Sequence, residues 1–290
     1  DVVTPIDQSI KQTDVDVATA GEALHSTAYD QPEVQPDIEA QLEEAGMPAV
    51  AVTDQSNMFA MVKFYRAAMA AGIKPIIGVD MWLRNPGQPT RPWRLLLLCK
   101  NRQGYRNLTE LVSRTYLEGQ HQSIPMLDLD WLEGATDGLI ALSGGREGDI
   151  GEALLAGDRT LAETRLQCWL RLFPSDFYLE LQRSGREREE DYLHAAVELA
   201  IAHDVPVVAT NDVHFIKSED FEAHEARVCI HDGRTLDDPR RPRRHSEQQY
   251  LRSPEDMQAL FADLPAGAVI VWCLAIIALL FRGSGFQPRL

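Results

Sequence analysis

The sequence has few cysteines, and none are paired at the close spacing of a small metal site or a dense disulfide framework. Its four cysteines, at positions 99, 168, 229 and 273, are scattered over 290 residues, a pattern typical of a reducing cytoplasm. Positive charge is also scarce, since 28 basic residues face 44 acidic ones and the formal net charge is −16. A free-standing nucleic-acid-binding domain usually has the opposite balance. If the chain works on DNA, another part of a larger assembly must hold the DNA.

The N-terminus lacks a basic segment followed by an apolar one, so no secretion signal is predicted. One long apolar run is present, at residues 266–281, with the sequence AGAVIVWCLAIIALLF. A membrane-spanning helix needs about twenty such residues. We therefore expect a buried helix or strand there and no membrane contact. The open alternatives are a membrane anchor and a tail that is not native to the domain.

A glycine-rich phosphate-binding loop is missing after the first predicted strand, which argues against a dinucleotide-binding sheet. Between residues 37 and 213, short apolar runs alternate at least five times with helical segments. Strands without polar alternation are typical of a parallel sheet covered on both faces. The pattern predicts an α/β fold, a distorted TIM-like β/α barrel of parallel strands with surrounding helices. Residues 37–265 would form it, after a poorly ordered start at 1–36 and before an atypical apolar tail at 266–290.

Acidic residues lie at or near the ends of several predicted strands. Asp54 follows the first strand, Asp80 lies in the second, and Asp212 and His214 close the last. Functional groups of β/α barrels gather at the carboxyl ends of the strands. Side chains two apart on an extended chain point the same way, so Asp212 and His214 can bind one zinc, manganese or iron ion. Capping of the next helix is the alternative role for Asp54.

The other histidines fall in helices or loops without a matching acidic partner. We expect most of them to be surface residues. They are His121, His194, His203, His224, His231 and His245.

Several segments, taken together, resemble one family. They include AGMPAVAVTDQSNMFAMVKFYRAAMAAGIKPIIGVD, GYRNLTELVSRTYLEG, FYLELQRSGR and VPVVATNDVHF. In this order they are similar to the polymerase-and-histidinol-phosphatase (PHP) domain, more narrowly to the form at the start of bacterial DNA polymerase III alpha subunits. The resemblance implies a PHP-type barrel within a DNA-directed DNA polymerase of chromosome replication. It also implies that the magnesium-dependent polymerase active site lies outside this chain.

The resemblance further implies a metal site, from which this sequence departs at several positions. The positions that correspond to the site are His25, Asp54, Gln55, Asp80, Arg94, Gly145, Asp212 and His214. Gln55 and Arg94 stand where the family has histidines, Asp80 where it has glutamate, and Gly145 where it has cysteine. Arginine stays protonated in proteins and cannot be a metal ligand.

We therefore expect Arg94 to act as a fixed cation among Asp54, Asp80 and Asp212, in place of the missing ions. The alternative is that Arg94 points outward at the start of its strand. No catalytic residue and no metal are expected in this domain, and zinc or manganese would be bound only if the site were active.

The resemblance implies a cytoplasmic scaffold that braces the rest of the polymerase and docks the separate proofreading exonuclease subunit. DNA would be contacted through the parent protein, and the arginine-rich segment 234–246 is either a contact of this kind or a solvated loop. The competing interpretation is an active metal-dependent phosphoesterase or 3′–5′ exonuclease of the PHP superfamily. It predicts bound metal and turnover.

Overall fold

The computed structural model of the protein describes residues 47–264, 269–274 and 276–277. The predictions for residues 1–36, including His25, and for residues 37–46 at the start of the predicted barrel lie outside the described residues. Among the described residues, no helix is long and apolar enough to cross a lipid bilayer.

Ten strands and seven α-helices make up the described part of the chain. The strands are β1 Ala49–Val52, β2 Lys74–Leu83, β3 Trp93–Cys99, β4 Gln120–His121, β5 Ile124–Leu127, β6 Leu139–Leu142, β7 Phe177–Gln182, β8 Val207–Thr210, β9 Val269–Leu274 and β10 Ile276–Ile277. The helices are α1 Met61–Ala70, α2 Arg102–Leu117, α3 Asp149–Leu155, α4 Arg159–Leu172, α5 Glu189–His203, α6 Phe221–Asp232 and α7 Pro254–Leu260.

The strand pairings form a closed circle, as the predicted barrel requires. The order is β10-β1-β2-β3-β6-β7-β8-β9. Strand β9 pairs in parallel with β8, and β10 pairs in parallel with β1. Because one residue separates β9 from β10, the apolar run at 266–281 supplies strands that close the sheet between β8 and β1.

Strand β3 departs from the predicted parallel arrangement, since it runs antiparallel to both β2 and β6. The physical reason lies in its connection to β2. A parallel pair needs a crossover of about a dozen residues or more, but only residues 84–92 separate the two strands and they contain no helix. The other neighbouring pairs of the closed circle are parallel.

Two apolar clusters lie on opposite faces of the sheet. The larger one joins strands to helices α2, α4 and α5 and contains Leu95 and Leu97 of β3 together with Trp169 of α4. The smaller one joins β1, β3, β6 and β8, through Ala51, Leu96, Leu98, Leu142 and Val208. Since these strands lie around the closed circle, the smaller cluster fills the barrel interior, and helices cover the outside.

Candidate functional site

Arg94 and Asp80 face the barrel interior because of the two-residue period of their strands. On β3, Arg94 shares its face with Leu96 and Leu98, which belong to the interior cluster. On β2, Asp80 alternates with Val79 and Met81, which pack against the helices. Alternate side chains of a strand point to opposite faces. The reversed direction of β3 also places its start beside the carboxyl end of β2, where Arg94 pairs with Trp82.

The Arg94 guanidinium lies between two buried carboxylates. Its Nη2 donates to Asp80 Oδ2 and, at 3.2 Å, to Asp212 Oδ1, while its Nη1 donates to Asp212 Oδ2 at 3.3 Å. Nη1 also donates to Glu147 Oε2 at 3.2 Å. The side chains of Arg94, Asp80 and Asp212 are only 13%, 5% and 4% exposed. This is the inward orientation, and it gives Asp212 the two-point contact that guanidinium and carboxylate favour.

A tight turn brings Glu147 to Arg94. Gly144 has a φ of 74°, and a Cβ there would lie 2.2 Å from the Arg94 carbonyl oxygen. Gly145, which the resemblance aligns with a cysteine of the family, has a φ of 59°. Both conformations favour glycine.

Charge pairing offsets the cost of burying these groups. Burial by itself would raise the pKa of Asp212, but Arg94, His214 and Arg186 more than offset this effect and hold the pKa well below its usual range. Burial likewise disfavours the charged form of Arg94, yet Asp212, Asp80 and Glu147 raise its pKa well above the usual value. The Arg94 guanidinium and the Asp212 carboxylate therefore stay ionised and depend on each other.

Besides its predicted neighbour His214, Asp212 has two partners that the sequence did not suggest. Gln249 Nε2 donates to Asp212 Oδ2 at 2.9 Å, and Arg186 Nη1 lies 3.6 Å from the same oxygen. His214 Nε2 lies 3.5 Å from it as well. Gln249 and Arg186 sit in loops far from Asp212 in sequence, and no local spacing pointed to them.

The enclosed space on the barrel side of Arg94 is small. The cavity among the inward-facing groups measures about 10 Å³, close to the smallest volume that accommodates one water molecule. Its lining residues are Thr53, Asp80, Arg94, Leu96, Gly144, Glu180, Gln182 and Asp212. Glu180 is itself held by Thr210 Oγ1, which donates to its Oε1 at 2.5 Å. A substrate does not fit into this enclosed cavity, although Arg94 and Asp212 also line an open groove of about 990 Å³.

Asp54 and Gln55 lie near this group without joining its ion pairs. Asp54 Oδ2 accepts a bond of 3.3 Å from Ala60 N, just before α1, and no described contact joins Asp54 to Arg94. Gln55 Nε2 donates to the Asp80 carbonyl oxygen at 2.7 Å. Of the three carboxylates expected around Arg94, the structure brings Asp80 and Asp212 to it and leaves Asp54 next to the helix start.

Asp54 should make the stability of the protein depend on pH. Burial raises its pKa from 3.8 to about 6, so the folded state binds this proton more tightly than the unfolded state. Stability is then lost as pH rises from about 4 to 6. We expect Asp54→Asn, whose amide oxygen can still accept from Ala60, to stabilise the protein by about 1–3 kcal/mol at pH 7 and by much less at pH 4. Urea unfolding of both proteins at the two pH values measures this, and equal effects at both would contradict it.

A cluster of three histidines corrects the prediction that His224 and His245 are surface residues. His224 is buried, His245 is half-buried, and both pack against buried His214. One ligand nitrogen from each ring lies within 4.8 Å of the others. Helix α6 and the segment before Gln249 bring these rings to His214, a convergence that no sequence spacing indicated. His194 and His231 are exposed as predicted, while His121 and His203 are half-buried.

The PHP domain family matches residues 33–184, just over half of the chain. The chain is also 59% identical over 220 residues to the DNA polymerase III subunit alpha of Pseudomonas aeruginosa. It is 53% identical to that of Escherichia coli K12 and 51% identical to that of Vibrio cholerae, again over 220 residues. Each alignment covers 76% of this chain and 19% of the relative. The chain thus spans about a fifth of the length of these curated relatives.

Among solved structures, a putative metal-dependent phosphoesterase from Bifidobacterium adolescentis matches 61% of this chain and 81% of its own. The sequence identity is 13% and the TM-score is 0.36, too low to support an argument about fold or function. The family match and the relatives agree with the segments that carried the resemblance. The chain belongs to the PHP domain family, in the form found in DNA polymerase III alpha subunits.

Proposed function

We propose that this chain serves as a non-catalytic scaffold within a replicative DNA polymerase. The long relatives named DNA polymerase III subunit alpha support the setting. DNA-directed DNA synthesis with magnesium would then be the work of the parent protein, outside the described residues. In this proposal the PHP-type barrel supports the polymerase mechanically. It binds no catalytic ion at the group of Arg94, Asp80 and Asp212, which we call the Arg94 centre.

The position of Arg94 is the observation that carries this proposal. Its guanidinium bonds to Asp80 and Asp212, two of the groups that the family resemblance assigns to metal. A metal ion there would bring a second positive charge against a cation that cannot lose its proton. Gln55 uses its amide on a backbone oxygen, and Gly145 offers no side chain. The residues present do not fit the family's metal cluster.

Partners of the scaffold are part of the same proposal. We expect the rest of the polymerase subunit and the separate proofreading exonuclease to bind its outer surface in the cytoplasm, with DNA held by the parent protein. An open groove of about 990 Å³ is lined by five arginines and four acidic residues. They are Arg94, Arg146, Arg186, Arg243 and Arg244, with Glu147, Glu187, Asp212 and Asp232. The slight excess of arginines in this groove, on an otherwise acidic chain, supports a contact of the 234–246 segment with an acidic partner or the phosphate backbone.

An active metal-dependent phosphoesterase remains the competing function, and the three-histidine cluster is the observation in its favour. Metal-dependent enzymes of this class use bound ions to activate water and to neutralise the phosphate. The competing function therefore requires turnover that depends on added metal and on Asp212, which lies beside both the Arg94 centre and His214.

A phosphodiesterase assay separates the two functions. The purified chain, supplied with manganese or zinc, is expected to hydrolyse bis(p-nitrophenyl) phosphate no faster than its Asp212→Asn variant. Turnover that needs metal and falls at least tenfold in Asp212→Asn would overturn the scaffold proposal in favour of the enzyme. Co-elution with the recombinant proofreading exonuclease on size exclusion tests the docking role, and separate elution at micromolar concentrations would contradict it.

A further inference from the structure

The geometry points to a new transition-metal site formed by His214, His224 and His245, and we propose that it binds zinc. His224 and His245 lie outside the positions that the family resemblance assigns to metal. The three residues come from the segment that follows β8, from α6 and from the loop that precedes Gln249. Three imidazoles with one open position are a ligand set that zinc takes in proteins.

The spacing of the rings suits one shared ion. Ring centroids of His214 and His245 are 4.5 Å apart, those of His224 and His245 are 4.7 Å apart, and those of His214 and His224 are 5.6 Å apart. Imidazoles on a tetrahedral zinc, with Zn–N near 2.0–2.1 Å, place their centroids about 5 Å from one another. The ligand nitrogens lie within 4.8 Å of one another, and on a tetrahedral zinc they would lie about 3.4 Å apart.

Two carboxylates stand beside the cluster, as outer partners of metal-bound histidines do. Asp212 Oδ2 lies 3.5 Å from His214 Nε2, and Glu225 Oε1 lies 3.9 Å from His224 Nδ1. Both carboxylates are nearly fully buried. A carboxylate near the second ring nitrogen orients the imidazole and strengthens it as a ligand.

The segment that carries His245 is held in position at two points. On the C-terminal side of His245, His214 N donates to Gln249 O at 2.9 Å, and Phe215 forms a backbone bridge with Tyr250. On the N-terminal side of His245, Arg241 Nη1 donates to Oε2 of buried Glu225 in α6. The loop between Arg241 and Gln249 therefore contacts α6 and the segment after β8 even without an ion. Zinc would add a further link between this arginine-rich loop and both elements.

Zinc titration by calorimetry, on the full chain after removal of metal by a chelator, tests the site. We expect one equivalent of Zn²⁺ to bind, and Co²⁺ in its place to show the visible absorption of a tetrahedral complex. Loss of an outer partner alone costs 10–100-fold in affinity, so His245→Gln and His224→Gln are each expected to weaken binding by more than about 100-fold. His231→Gln, an exposed histidine on the same helix, is the matched control and should bind as the unmodified chain does.

Thermal melts keep the test independent of folding defects. Zinc is expected to raise the Tm of the unmodified chain and of His231→Gln but not that of His245→Gln, whose far-ultraviolet circular dichroism should be unchanged. No saturable binding, or equal binding by all variants, would overturn the proposal. Zinc that is lost in Asp80→Asn but kept in His245→Gln would place the ion at the Arg94 centre, and would contradict both this site and the scaffold argument.

Discussion

Replacing Arg94 with methionine is expected to destabilise the folded chain by about 3–5 kcal/mol, the usual cost of leaving buried charges without their partner. Methionine fills most of the arginine volume, so the loss is mainly electrostatic. Asp80 and Asp212 would then be buried together without the guanidinium that now bonds to both. Urea unfolding at pH 7 measures the change in the free energy of unfolding.

The pH dependence identifies the cause of this loss. Without Arg94, the two carboxylates repel each other and their folded pKa values rise above those of the unfolded chain. The penalty is then relieved as pH falls and they take up protons. We expect the difference in stability between the unmodified chain and Arg94→Met to shrink between pH 7 and pH 5. A difference that stays constant over this range would point to packing as the cause.

Two comparisons sharpen the Arg94 experiment. Arg159→Met removes an arginine whose side chain is 51% exposed and pairs with Glu163, and it should cost less than about 1 kcal/mol. In a double-mutant cycle, Arg94→Met combined with Asp212→Asn should cost less than the sum of the single changes by about 1–3 kcal/mol. Additive effects would mean that the two side chains do not act as a pair.

Deletion of residues 266–290 is expected to abolish the soluble monomer. It removes β9 and β10, which pair with β8 and β1. The barrel would then have two open edges, and Ala51 and Val208 of the interior cluster would lie at them. Open apolar edges promote association between chains, and loss of two strands is large against the roughly 5–15 kcal/mol that stabilises a whole domain. Size exclusion and the soluble fraction after expression measure the outcome.

A shorter deletion provides the matched control. Removal of residues 282–290 keeps both strands and the whole apolar run, and should leave a soluble monomer. Hydrogen exchange adds a local measure, since amides of β1 and β8 should lose protection only in the longer deletion. A monomeric chain 1–265 with unchanged protection in these two strands would show that the barrel does not depend on β9 and β10.

Sequence periodicity predicted much of the fold because the strands are short apolar runs between helices. The apolar runs at residues 74–83 and 177–182 predict two strands, and β2 and β7 have these bounds. The pattern over residues 150–173 predicts a largely continuous helix, but the chain forms α3 and α4 there, interrupted where Gly157 takes a φ of 76°. The direction of β3 was missed, although the short link at 84–92 contained the information, since no helix could fit into it.

The candidate site was harder to predict because its partners come from distant loops. The resemblance pointed to Arg94, Asp80 and Asp212, and strand alternation explains why they meet. The run RLLLLCK on β3 is apolar on both faces, so nothing in it marks Arg94 as inward-facing. Gln249 and the pair of His224 and His245 had no signal at all, because tertiary folding alone brings residues so far apart in sequence to one place.

Closure of the barrel by β10 has a consequence for how the chain acquires its structure. Ala51 pairs with Ile276, so the contact that completes the circle joins residues more than two hundred positions apart. Contacts of such long range form slowly because the intervening chain must first be ordered. During synthesis, β1 emerges more than two hundred residues before β10, the strand that it pairs with to close the barrel. We therefore expect refolding to be slow, and nascent chains to rely on chaperones that shield the unfinished sheet.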